Sequence, residues 1–157
     1  MTATELDLRR VFGAYPTGVA ALAGVVDGAP VGMAASSFTT VSLDPALVSV
    51  CVAHSSATWP VLRRSARLGI NVLGSDQEWV SRQFAAKGVD RFAGIGRRET
   101  DDGCVLLAGA AAWFDCSIAQ EVRAGDHDIV VFAVHDLDIA EGVPPLVFHA
   151  STYRSLA

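Results

Sequence analysis

Residues 32–48 read GMAASSFTTVSLDPALV, and within them Ala34, Ala35, Ser36, Ser37, Phe38, Thr40 and Val41 mix small, hydroxyl-bearing and apolar side chains between two apolar stretches. Small side chains leave backbone amides uncovered, so such a segment can press edge-on against a flat, hydrogen-bonding heterocycle. Serine hydroxyls would add donors, and Phe38 and Val41 would exclude water. A polar β-bend is the competing reading, because Ser and Thr are common in turns. Ser55, Ser56 and Thr58 directly precede a helix-like segment. Free N–H groups there attract a phosphate, or one serine caps its own helix. Further on, Phe84, Ala85 and Lys87 combine apolar bulk with a cation. Lys87 suits a phosphate or simple solvation, and the spacing of Phe84 fits a helix core equally well. Gly125-Asp126-His127 puts an imidazole in a hairpin, where it either steadies the turn or uses its near-neutral pKa to hydrogen-bond a ligand and move a proton.

Other chemistries lack their residues. Gly94-Ile95-Gly96 lies in a loop and continues as Arg97-Arg98-Glu99-Thr100, so there is no dinucleotide fingerprint between strand and helix. GxSxG, HExxH and Walker patterns are missing as well. His54, His127, His135 and His149 are too scattered to propose a metal centre. Cys51, Cys104 and Cys116 are odd in number and lack CxxC spacing, and they read as reduced core or surface residues.

The elements that must position these groups follow from periodicity. Leu8, Val11 and Phe12 are spaced for an amphipathic helix over residues 5–14, with Thr4 as its N-cap. Two strands, Val19 to Val26 and Val31 onward, turn at Asp27-Gly28. Val41 to Val52 reads as a bend at Asp44-Pro45 followed by a buried strand. Ser55 to Arg64 reads as a helix opened by serine, with Pro60 awkward inside it unless the helix begins near Trp59. Leu68 to Leu73 is a short strand, and Asp76 to Ala86 a helix with Trp79, Val80 and Phe84 on one face. Lys87 to Gly103 reads as loop, and Ala110 to Ala140 as two long strands around Arg123 to Asp126. Many short strands with few helices make the fold class mainly β, a barrel with peripheral α-helices.

Together with TGVAAL near Gly18, NVL at Asn71, QFAAK at Phe84, DRF at Asp90 and GDHDIVV at Gly125, the 32–48 segment resembles the flavin reductase family, in the family's order and over roughly residues 8–153. The resemblance implies an antiparallel split β-barrel that binds FMN or FAD and takes hydride from NADH or NADPH. It implies that Ala34 to Phe38, with Thr40 and Val41, contact the flavin, and that the chain around Phe84, Ala85 and Lys87 approaches the flavin and its phosphate end. It places His127 beside the nicotinamide as the catalytic candidate. It also implies a homodimer and a flavin-dependent monooxygenase that receives the reduced flavin. One alternative is a second enzyme reading, a flavoprotein with tightly held FMN that reduces an organic substrate or ferric chelate directly; another, from a different class, is a non-catalytic flavin carrier. Three departures stand out. Ala34 sits where relatives commonly carry a hydroxyl, Ala46 replaces the second proline of DPP, and the tail before Tyr153 lacks a glycine, which leaves Tyr153 a doubtful neighbour of the nicotinamide.

With 157 residues and 51% hydrophobic composition, the chain fits a single domain over residues 1–157. A net charge of −5 without a basic cluster argues against nucleic acid, and Arg63, Arg64 and Arg67 read as a solvated helix face. Every apolar run is interrupted before it could span a bilayer, and the N-terminus shows no signal-peptide pattern, so the expectation is a cytoplasmic protein with no membrane partner.

Overall fold

A computed structural model describes residues 4–157; the reading of the first three residues lies outside them. The chain opens with α1 (Glu5–Phe12), fixed by a capping box in which Thr4 Oγ1 accepts from the Asp7 N–H and the Asp7 carboxylate accepts from the Thr4 N–H. Strands β1 (Thr17–Gly18), β2 (Ala20–Val26) and β3 (Ala29–Ala35) follow, the last two turning at Asp27-Gly28, where both residues have positive φ. Next come β4 (Thr39–Leu43) and β5 (Ala46–Ala53), then α2 (Trp59–Leu62), β6 (Leu68–Val72), α3 (Glu78–Ala85), β7 (Arg97–Glu99) and β8 (Val105–Leu107). The long hairpin β9 (Ala112–Ala124) and β10 (His127–Ile139) precedes a terminal hairpin of β11 (Leu146–His149) and β12 (Thr152–Ser155).

Seven strands form one antiparallel sheet in the order β3-β2-β6-β9-β10-β5-β4. That order makes β3 and β4, consecutive in the chain, the two edges. Only residues 36–38 join them, a link that spans roughly 14 Å at full stretch. The sheet is therefore forced to curl until its edges approach. Yet β3 and β4 do not pair, and the barrel stays split there.

Because strand side chains alternate, β2 feeds two cores. Ala20 and Leu22 point into the barrel with Val50, Leu68, Ile70, Val130 and Phe132, while Val19, Ala21 and Ala23 pack with Leu73, Val80, Phe84, Val105 and Leu146. Asn71 is the polar pin of the second core. Fully buried, it donates to the carbonyls of Ala21 (3.1 Å) and Val105 (3.2 Å) and accepts from the Leu107 N–H (2.9 Å), so β8 is fastened across β2 and β6. Gly69 permits this approach, since a Cβ there would overlap the Val105 carbonyl.

Four sequence expectations are corrected. Within Ser55 to Arg64 the helix begins at Trp59, the start that places Pro60 in its first turn, and it is shorter than expected, a single turn over Trp59–Leu62. The loop from Lys87 to Gly103 contains β7, which pairs with β8. Trp79 does not share the buried face of α3: Val80 and Phe84, four residues apart, are buried and Trp79 is half-exposed. Arg67 departs from the expected solvated face: Arg63 and Arg64 stay exposed, paired with Glu121 and Asp27, whereas Arg67 is drawn in to Asp115.

Asn71→Leu should leave the Val105 carbonyl and the Leu107 N–H without partners in the second core. The expected loss is roughly 3 kcal/mol, read as a lowered midpoint in urea denaturation.

Candidate functional site

At the split edge lies a shallow cleft of about 150 Å³, lined by Val19, Ala34, Ala35, Ser36, Ser81, Ala85, Phe148 and Tyr153. Its chemistry begins with the backbone of β3. In an antiparallel strand a residue's N–H and C=O point to the same side, and the side alternates along the chain. The Gly32 carbonyl faces away from the sheet, where Arg91 Nη1 donates to it at 2.8 Å. Ala34, two residues on, therefore turns its own N–H and C=O outward too, beside a methyl group too small to cover them. Pro30 fits the same phase, because its missing N–H falls on the open edge.

The wall of the cleft comes from the terminal hairpin. Phe148 and Tyr153 are cross-strand partners with ring centroids 5.1 Å apart. Tyr153 Oη is 2.7 Å from Ser81 Oγ on α3, and the Arg82 guanidinium lies 4.9 Å over the tyrosine ring. Ala150 and Ser151 make the turn with φ of 50° and 61°, both in the region that favours glycine. The Ala150 N–H donates to the Gly13 carbonyl at 2.8 Å, which ties this turn to the end of α1.

Of the residues singled out in the sequence, Ala34, Ala35, Ser36, Ala85 and Tyr153 come together in this cleft. Ser37 and Phe38 turn inward instead. Ser37 Oγ both donates to the Cys51 carbonyl and accepts from the Cys51 N–H, each at 3.0 Å, and so extends the edge of β5 beyond the end of β4 pairing. Phe38 packs on Phe114 in the barrel core. Thr40 and Val41 lie exposed on edge strand β4, Val41 at its bulge. Phe84 is fully buried against Phe92 and has no face left for a ligand.

Ser55 and Lys87 are exposed. Ser56 accepts from the Trp59 N–H, and Thr58 accepts from Arg91 Nη1, so each hydroxyl keeps its proton to donate. Arg91 also donates to the Ala86 carbonyl and thereby staples β3, α2 and the end of α3 together. Sequence reasoning missed Val19, Ser81 and Phe148. Ser81 was accessible to it, since it sits one helical turn before Ala85 on the same face of α3.

His127 stands at the start of β10 and not on the cleft lining, with Nδ1 2.7 Å from Asp126 Oδ1. That hydrogen bond, followed by the histidine's charge, holds the Asp126 carboxyl below its usual value. A second pair, His54 Nε2 to Asp128 Oδ1 at 2.8 Å, lies beside it in the same strand pairing. Burial pushes the thiols of Cys104 and Cys116 up, Cys116 to about 12, and the charge of Asp115 adds to both. They remain protonated thiols. Among the described residues no group of three His, Cys, Asp or Glu is placed to hold a metal ion, and no helix is long and apolar enough to cross a membrane.

Comparison with known proteins bears on this geometry. A family model described as "Flavin reductase like domain" matches residues 12–157. The chain is 39% identical over 150 residues to a flavin reductase of Pseudomonas putida, covering 95% of this chain and 88% of that protein. It is 37% identical over 150 residues to the reductase subunit HsaB of a flavin-dependent monooxygenase from Mycobacterium tuberculosis, covering 94% and 80%. Other relatives are longer, and the chain spans 43% and 54% of two of them. Among solved structures, the NADH:FAD oxidoreductase SgcE6 of Streptomyces globisporus, in complex with NAD and FAD fragments, superposes with a TM-score of 0.90 at 35% identity, covering 97% of this chain and 92% of that one.

The strained tail turn gives a direct test. Ala150→Gly should raise stability by about 0.5–1 kcal/mol, because the left-handed cost of a Cβ outweighs the extra backbone entropy of glycine. An unchanged or lowered melting temperature would contradict the positive φ on which this rests.

Proposed function

The chain belongs to the flavin reductase family, and from that membership we propose that it reduces FMN or FAD with NADH or NADPH at the cleft beside β3 and releases the reduced flavin to a separate monooxygenase. The observation that carries this reading is the outward peptide of Ala34, set in a cleft with small residues on its floor and an aromatic wall. An uncovered N–H and C=O side by side match the alternating donors and acceptors on the edge of a flavin's pyrimidine ring. This backbone pair takes over the bond that a hydroxyl at position 34 would make. The Ser36 hydroxyl at the cleft supplies a further donor or acceptor.

The bound nucleotides supply the hydride chemistry, so the chain's residues bind, orient and exclude water. We assign the phosphate end of the flavin to Ser55, Ser56, Thr58 and Lys87. The free hydroxyl protons of Ser56 and Thr58 and the exposed cation of Lys87 support that assignment. His127 is the side chain we assign to the nicotinamide carboxamide, supported by its half-exposed ring and by the carboxylate that fixes Nδ1 and leaves Nε2 to a ligand. Phe38 and Phe84 are left to the cores. The HsaB relative, a reductase subunit by name, and the openness of the cleft both support delivery of reduced flavin to a partner.

Mixing the protein anaerobically with each of NADH and NADPH, and each of FMN and FAD, should bleach the flavin absorbance over many turnovers in at least one combination. Silence in all four would overturn the proposal. Turnover without added flavin, by protein that purifies yellow, would point instead to a tightly held cofactor.

We also propose that two copies assemble. No residue of α1 is buried, and Leu6, Val11, Phe12 and nearby Tyr15 are each more than two-thirds exposed, as is Leu43 at the tip of β4. An amphipathic helix with most of its apolar face uncovered calls for a partner surface. Sedimentation should give twice the mass of one chain, and Phe12→Glu should shift it toward the monomer. A single-chain mass at micromolar concentration would refute this.

A further inference from the structure

We propose that Ser81 is a positioning residue for the cleft: through one hydrogen bond it fixes Tyr153 as the wall against which a cofactor ring lies. The inference rests on the reading of that cleft as the cofactor site. Ser81 lies in the middle of α3 and is 2% exposed. A serine inside a helix ordinarily turns to solvent or bonds back to the carbonyl four residues earlier. Ser81 does neither. Its hydroxyl reaches out of the helix to Tyr153 Oη, at 2.7 Å.

The hairpin that carries Tyr153 needs such a tie. β11 and β12 belong to a separate three-stranded sheet; β11 is anchored by its pairing with β1, by the Leu146 N–H donating to the Leu73 carbonyl at 2.9 Å and by burial of Leu146 in the second core, whereas the strand pairing of β12 is with β11 alone. β12 is an outer strand of that sheet, with no strand beyond it. Phe148 and Arg82 flank the tyrosine ring. Stacking resists tilting of a ring but leaves it free to slide, whereas a directional bond at its far end fixes its reach.

That reach matters because the ring is a partition. Tyr153 lines the cleft and also a second hollow of about 200 Å³, bounded by Ser75, Glu78, Leu146, Arg154 and Ser155. A ring that swings joins the two spaces and removes one wall from the cofactor. A ring already held in place spares the ligand the entropy of ordering it, so the bond contributes to binding more than to the chemical step.

The test is a cycle of Ser81→Ala, Tyr153→Phe and the double variant, with KM and kcat measured for both nucleotides. Each single variant removes the same bond. Each should raise KM for the nucleotide whose ring fills the cleft by about three- to tenfold, with kcat changed less, and the double variant should be no worse than either. Ser81→Thr, which keeps the hydroxyl, should restore the wild-type KM. Independently of turnover, the Tyr153 ring signals in NMR should show faster averaging in Ser81→Ala than in the wild type. Unchanged KM for both nucleotides, effects that multiply in the double variant, or unchanged ring dynamics would overturn the proposal. A wild type that turns over no flavin would overturn only the cofactor reading, and the NMR comparison would still decide whether Ser81 holds the ring.

Discussion

Three residues between β3 and β4 govern this molecule. They connect the two edges of a seven-stranded sheet, and no flat sheet of that width can have its edges joined by so short a link. Curling is imposed by connectivity before any packing is considered. β3 and β4 nevertheless do not pair, so the closed sheet keeps one seam. Edges are ordinarily a hazard because unpaired peptide groups recruit other strands. Here the seam is partly sealed from within, by Ser37 on β5 and by Arg91 on the Gly32 carbonyl. What remains unsealed is the stretch at Ala34, and there the cleft lies.

The rest of the architecture holds that seam open at a fixed width. β2 runs beside β3 and divides its side chains between two cores, so β3 cannot shift without disturbing both. Asn71 and Gly69 fasten β8 across β2 from the other side. α3 closes one flank, its buried Phe84 approaching β3 so closely that a Cβ at Gly32 would lie 2.5 Å from the ring. Gly32 is thus small because a helix core presses on it. Ala34, on the same strand, is small where the open edge meets the cleft. One strand serves both purposes through alternate residues.

Much of this was legible in the chain itself. Periodicity gave α1, the β2–β3 turn at Asp27-Gly28 and the long hairpin around Gly125, because each carries its signal within a few neighbouring residues. The order of short motifs pointed to the family and so to the split barrel. What periodicity missed depends on partners distant in sequence. The serine-rich stretch before Trp59 carries a helix-start signal, yet Pro60 and the Arg91 staple confine the helix to one turn. Trp79 has the composition of a core residue, but only its position on α3 decides that it faces out. Arg63, Arg64 and Arg67 look alike in sequence, yet Arg63 and Arg67 are paired with acids on β9 and Arg64 with Asp27 at the β2–β3 turn. Ser37 and Phe38 belong to the motif as text but to the barrel as matter.

The size of the cleft bears on how far orientation alone could carry hydride transfer. Holding two reacting rings face to face is worth roughly 7–11 kcal/mol in well-oriented systems, a large share of what a scaffold can contribute. About 150 Å³ is below the range of pockets that enclose a drug-sized ligand. On the proposed reading, such a cleft has room for the edge or face of one ring, and the second ring would be covered from outside the chain's own walls. The exposed apolar face of α1 ends at Gly13, which the turn of the tail hairpin grips, so a second copy docking there would press on the elements that carry Tyr153. An incomplete cleft and an uncovered helix then share one physical cause. On the proposed assembly, the chain would build one wall of a narrow space and a facing surface the other, an arrangement that would let two rings be clamped during transfer and let the reduced one leave.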